Sequence, residues 1–87
     1  MRKPRNKIQI YYDILSAINL ESTNGVGPKP TRVQTRSNLS YDKLVMYLNE
    51  LQSKEMILQK PLRITDKGRD FLQEYDRGQN ESEVLIF

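Results

Sequence analysis

The sequence predicts a mainly α domain carrying one small β-hairpin, and three observations predict it. Apolar residues recur at helical spacing in three separate stretches. Two short apolar runs flank Lys60-Pro61, and capping residues or Gly/Pro-rich breaks mark the ends of the periodic segments. The chain is organised around residues 31–51, TRVQTRSNLSYDKLVMYLNEL, which reads as a short helix, a tight turn and a longer helix. Thr31 is expected to cap the short helix, which runs through about Arg36. Asn38 suits a left-handed exit residue, because its short polar side chain tolerates positive φ. Ser40 is the next N-cap, with Asp42 in the first turn against the positive helix end. Leu44, Leu48 and Leu51, with Tyr47 beside them, then form one apolar stripe. The opposite side carries Ser40, Tyr41, Lys43, Val45, Met46, Asn49 and Glu50, free to touch something else.

The 87 residues suffice for one domain near the small end of what folds without staples. With neither cysteine nor histidine, disulfides, the usual zinc sites and histidine acid–base chemistry are excluded, and no cofactor is expected. The core must come from Ile, Leu, Val, Phe, Tyr and Met, and a dimer interface could supplement it. No run approaches the roughly 20 apolar residues of a membrane span. Absence of cysteine fits an intracellular, cytoplasmic protein.

The net charge of +3 is unevenly spread. Residues 1–43 hold Arg2, Lys3, Arg5, Lys7, Lys29, Arg32, Arg36 and Lys43 against Asp13, Glu21 and Asp42, whereas residues 44–87 are slightly acidic. The asymmetry points either to a polyanion on one side or to an ordinary solvated surface; the two-helix motif favours the polyanion.

In chain order, residues 1–7 (MRKPRNK) read as a mobile basic arm, either lying along phosphates or a minor groove or serving as a solubilising tail. Residues 8–20 form the first core helix, with Ile8, Tyr11, Ile14, Leu15 and Ile18 at helical spacing. One of Tyr11 and Tyr12 is expected in the core and the other partly exposed. Residues 21–30 (ESTNGVGPKP) form a loop, and Gly25-x-Gly27 lacks the remaining residues of a phosphate-binding or dinucleotide motif. Lys29-Pro30 is extended and could make a strand of one or two residues. Residues 56–59 (MILQ) and 62–65 (LRIT) pair around Lys60-Pro61. Thr65 caps a helix over 66–77 whose buried face is Phe71, Leu72 and Tyr75, with Gly68 allowing a close approach. Gly78, Gln79 and Asn80 are expected to end it. The domain thus covers 8–77, leaving a C-terminal tail, 78–87, with an apolar end. Exposing Val84, Leu85, Ile86 and Phe87 would cost a few kcal/mol; they either fold back on the core or add to a partner chain.

Helix, loop, two-helix motif, hairpin, helix is the order of a winged helix-turn-helix domain. Thr31-Arg32, Asn38 to Tyr41 (NLSY) and Thr65 to Leu72 (TDKGRDFL) resemble signatures of archaeal winged-helix DNA-binding regulators, related to the small chromatin-associated winged-helix proteins of thermophilic archaea. The similarity covers about residues 5–77. It implies a nucleoid-associated protein of transcription regulation or chromosome organisation, with double-stranded DNA as partner and a homodimer as the usual assembly. Many relatives have a shorter connection than residues 21–30. Relatives that dimerise through a long C-terminal coiled coil continue helically past the wing, where Gly78 and Asn80 are expected to stop this chain.

The geometry this implies puts the 40–53 helix in the major groove, N-terminal end foremost. Ser40, Tyr41 and Lys43 lie nearest the DNA, although Tyr41 could instead pack on its own fold. The 31–37 helix offers Arg32, Gln34, Thr35 and Arg36 along the backbone, and Arg36 could reach a guanine edge. Lys60 and Arg63 of the 56–65 wing touch an adjacent groove or its phosphates. Val45, Met46 and Asn49 supply few hydrogen bonds to bases, so modest sequence discrimination and a steep salt dependence are expected. A winged helix used as a protein-interaction module is the alternative, supported by Val45, Met46 and the apolar end. An enzyme is not expected: Asp66, Asp70, Glu74 and Asp76 lie along a helix without a nucleophile–base pair or metal set.

Overall fold

A computed structural model describes residues 5–22 and 27–84. The first four residues of the expected arm, the loop centre at 23–26 with Gly25, and Leu85, Ile86 and Phe87 of the apolar end lie outside the described residues. Among the described residues, four helices and a two-stranded sheet follow in the order α1 (Lys7–Glu21), α2 (Pro30–Ser37), α3 (Tyr41–Ser53), β1 (Ile57–Gln59), β2 (Leu62–Ile64) and α4 (Asp66–Val84).

Helix α1 begins one residue earlier than its apolar pattern suggests, because Asn6 and Gln9 close a reciprocal capping box. The Asn6 side chain accepts from Gln9 N–H at 2.8 Å, and Asn6 N–H donates to the Gln9 side chain at 2.9 Å. Tyr11, Ile14, Leu15, Ala17 and Ile18 form its buried stripe. Tyr11 is the core tyrosine; Tyr12 is half-buried, its hydroxyl donating to Asp76 at 2.8 Å and its ring stacked on Tyr75 at 4.3 Å.

The N-cap position of α2 is held by Lys29 rather than Thr31, and its side chain makes no capping hydrogen bond. Pro30 occupies the first helical position, where its fixed φ suits the helix and its missing N–H costs nothing. That start also removes the strand expected at Lys29-Pro30: Lys29 is extended, with ψ 141°, but its carbonyl accepts from Arg32 and Val33 N–H. The exit is as expected, through Asn38 at φ 56°, ψ 48°. Ser40 caps α3, accepting from Lys43 N–H at 3.3 Å, and Leu44, Leu48 and Leu51 are buried.

Past α3 the chain turns through Glu55, at φ 64°, into the hairpin. Its antiparallel register pairs Ile57 with Ile64, Leu58 with Arg63 and Gln59 with Leu62, around a cis Lys60-Pro61 bond. Ile57, Leu62 and Ile64 point into the core, while Leu58 and Arg63 lie exposed opposite each other. Thr65 then caps α4, accepting from Gly68 N–H at 3.1 Å while its own hydroxyl donates to the Glu55 carbonyl at 2.7 Å. Gly68 is required by the packing: a Cβ there would sit 2.4 Å from the Met56 carbonyl oxygen and 2.7 Å from Ile64.

Helix α4 does not stop at Gly78; it continues to Val84. A glycine inside an exposed helix costs about 1 kcal/mol but breaks no hydrogen bond, and nothing presses on Gly78 to divert the chain. Phe71, Leu72 and Tyr75 are half-buried against the core side, and Gln73, Glu74, Asp76, Arg77 and Gly78 are exposed. Helix α1 sits centrally, packed on α2, α4 and β2, while α3 packs on β1. No helix among the described residues is long and apolar enough to cross a membrane.

Candidate nucleic-acid interface

The expected contact residues fall into three groups, each set by its own element. On α2, Arg32 and Arg36 stand one turn apart, and both reach back to Glu21 at the end of α1. Arg36 donates through Nε to the Glu21 carboxylate, and Arg32 Nε lies 3.8 Å from its other oxygen. The hydrogen bond from Arg36, with the charge of Arg32 added, holds the Glu21 carboxyl below its ordinary range. Both arginines remain exposed, and it is their Nε edges that face the carboxylate. Thr35 is exposed but its hydroxyl donates to the Thr31 carbonyl at 3.0 Å, and Gln34 is half-buried.

The second group is the first turn of α3. The Ser40 hydroxyl is engaged in capping, while Tyr41, at 61 % exposure, projects away from the fold rather than packing on it. Lys43 is exposed. The third group is the wing, where Lys60 at the turn and Arg63 on β2 are exposed.

The outward side of α3 is narrower than its sequence suggests. Glu50 belongs to the inner side: half-buried, it takes the Lys7 ammonium at 2.9 Å and the Tyr11 hydroxyl. These two partners, Lys7 first, keep its carboxyl below the ordinary range, and Glu50 in turn raises the Lys7 ammonium. Asn49 stays outward, but its side-chain oxygen accepts from Gln59 of the wing at 2.9 Å, tying α3 to β1. Asp42, Val45 and Met46 complete the outward side.

Within the basic arm expected over 1–7, Arg5 and Lys7 are held by the fold rather than mobile. Arg5 donates to Asp13 at 2.7 Å, to the Ser37 carbonyl at 2.7 Å and to the Asn38 carbonyl at 3.2 Å. It thereby satisfies carbonyls that a helix end leaves without partners, at the negative pole of α2. Sequence reasoning missed Arg5, Glu21 and Glu50 as positioning groups. The one available signal was that the left-handed exit at Asn38 leaves carbonyls in need of a donor.

A family model described as winged helix-turn-helix matches residues 4–83. No curated protein matches the chain significantly. The sequence match spans the α2–α3 pair, the hairpin and most of α4, so the match and the architecture agree: the chain belongs to the winged helix-turn-helix family.

Proposed function

We propose that this protein binds duplex DNA, as a transcription regulator or chromosome-organising protein of the kind its resemblance to archaeal regulators suggests. In this reading α3 enters the major groove with its first turn foremost, α2 lies along one phosphate strand and the wing reaches the neighbouring groove. The observation that carries it is the first turn of α3. Buried Leu44, Leu48 and Leu51 seat the helix rigidly, and Ser40 caps it, so that Tyr41 and Lys43 stand outward at its leading end. Arg32, Gln34, Thr35 and Arg36 on α2, and Lys60 and Arg63 on the wing, supply the flanking contacts. Five cations in this set give a salt slope that loses roughly two to three powers of ten in affinity between 50 and 200 mM salt.

The test is a titration of labelled duplex by anisotropy at two salt concentrations, with the double variant R36A/K43A. The variant should bind at least about tenfold more weakly at low salt and show a shallower salt slope by nearly two. Unchanged low-salt affinity would remove α2 and the first turn of α3 from the groove face.

A second reading, a protein-interaction module, is favoured by exposed Tyr41, Val45, Met46 and Leu58. Absence of salt-sensitive binding to any duplex would select it. The continuation of α4 past Gly78 to Val84 supports a homodimer joined along that helix, because it lengthens the helix beyond the stop expected at Gly78. Light scattering of the free protein reads the mass directly.

A further inference from the structure

The polar side chains that α3 could turn toward base edges are largely spent inside the protein. Ser40 uses its hydroxyl as an N-cap, Asn49 gives its oxygen to Gln59, and Glu50 is held by Lys7 and Tyr11. The arginines beside α3 that could fork onto guanine, Arg32 and Arg36, sit on α2 with their Nε edges on Glu21, and Arg63 lies on the wing. Over the first turns of α3, the outward side retains Tyr41, Asp42, Lys43, Val45 and Met46. Val45 is 37 % and Met46 41 % exposed, and Val45 lies one turn from Tyr41 on the same side. Asp42 only accepts, so it can pair with the amino group of adenine or cytosine but not with the acceptor edge of guanine. Around this apolar strip, Lys43 on the same turn and Lys60 and Arg63 on the wing supply the charge a polyanion needs.

We propose that the outward face of α3 reads the 5-methyl groups of thymine in the major groove, with Val45 and Met46 packed against them. The favoured ligand is then A·T-containing duplex, distinguished by apolar contact rather than by a hydrogen-bond code. This rests on the DNA-binding reading above and supplies its base preference. Thymine carries the only methyl group among the base edges of that groove, which makes it the natural counterpart of an aliphatic surface.

The test changes the DNA rather than the protein. An A·T-rich duplex is compared with the same duplex carrying deoxyuridine for thymidine, which removes only the methyls, for the wild type and for V45A/M46A. Burial of a methyl corresponds to about fourfold in affinity, so two contacted methyls predict roughly 15-fold weaker binding of the uracil duplex by the wild type. The double variant should bind both duplexes alike. A G·C duplex carrying 5-methylcytosine should in turn bind the wild type more tightly than its unmethylated form. Salt-sensitive binding that is equal for thymine and uracil duplexes would overturn the methyl reading and leave DNA binding intact. Discrimination that survives in V45A/M46A would overturn the assignment to these residues. No salt-sensitive binding to any duplex would overturn both readings and make the apolar strip a protein-docking surface.

Discussion

The side of the molecule braced by α1 and the open side of α3 use similar residues to opposite ends. On the braced side, Arg5 is tied to Asp13 and two helix-end carbonyls, Glu21 to Arg32 and Arg36, and Glu50 to Lys7 and Tyr11. On the open side, Tyr41, Lys43, Val45 and Met46 face water directly. A count of lysines and arginines treats the two sides alike. The difference teaches that positive charge in this chain is divided between holding the helices together and facing outward. The excess over residues 1–43 is partly structural, since Arg5 and Lys7 meet acidic partners within the fold.

Adjacent residues on α3 offer the sharpest way to break this division. Leu44 is fully buried, and its neighbour Val45 is on the open side. Leu44→Ala should cost about 2–5 kcal/mol, because the space left behind cannot fully collapse. For a domain this size that lowers Tm by roughly 8–40 °C, and it is a large part of a total stability of about 5–15 kcal/mol. Val45→Ala should stay within about 0.5 kcal/mol, as surface substitutions do. Thermal unfolding followed by circular dichroism reads both. A comparable loss at Val45 would mean that the outward face of α3 is packed, and the open side would cease to exist as a separate region.

Ser40 lies on the boundary between the two sides, and its effect is intermediate. Its hydroxyl satisfies a first-turn N–H of α3, so Ser40→Ala should cost about 1 kcal/mol, and Ser40→Gly only a few tenths. Urea unfolding of the pair separates the cap from a general loss of packing: equal losses for the two variants would show that the hydroxyl is not what fixes the leading end of α3.

The open side was largely legible in the sequence, and the bracing was not. Helix periodicity, Asn38 as a left-handed exit, Ser40 and Thr65 as caps and the hairpin around Lys60-Pro61 are all local signals, decided within a few residues. Partners such as Arg5 with Ser37, or Lys7 with Glu50, are far apart in sequence and meet only after α1 has docked; no local pattern names them. Two local signals also misled. Thr31 is a good capping residue, but Pro30 one position earlier already satisfies the helix start. Gly78 is a good terminator only where the chain must turn; in an exposed helix its cost is small and α4 runs on. Gly68 shows the opposite case, where a glycine inside a helix marks the approach of the Met56 carbonyl.

The gentlest probe of the braced side is acid. Glu21 and Glu50 both titrate below the ordinary carboxylate value, Glu21 chiefly through its hydrogen bond from Arg36 and Glu50 chiefly through Lys7. A group whose pKa is depressed by folding stabilises the native state most where it is ionised in both states. Their contribution is therefore complete above the unfolded value of about 4.3 and fades as pH falls through the lower folded values. The urea midpoint of the wild type should decline from pH 6 toward pH 3, and E21Q/E50Q should decline less. Both carboxylates lie near water, so the difference will be small and will shrink further in high salt. If the two proteins decline in parallel, the ion pairs do not brace the fold. The same protonation loosens the hold on Arg32 and Arg36, and in acid the α2 edge should come to resemble the open side.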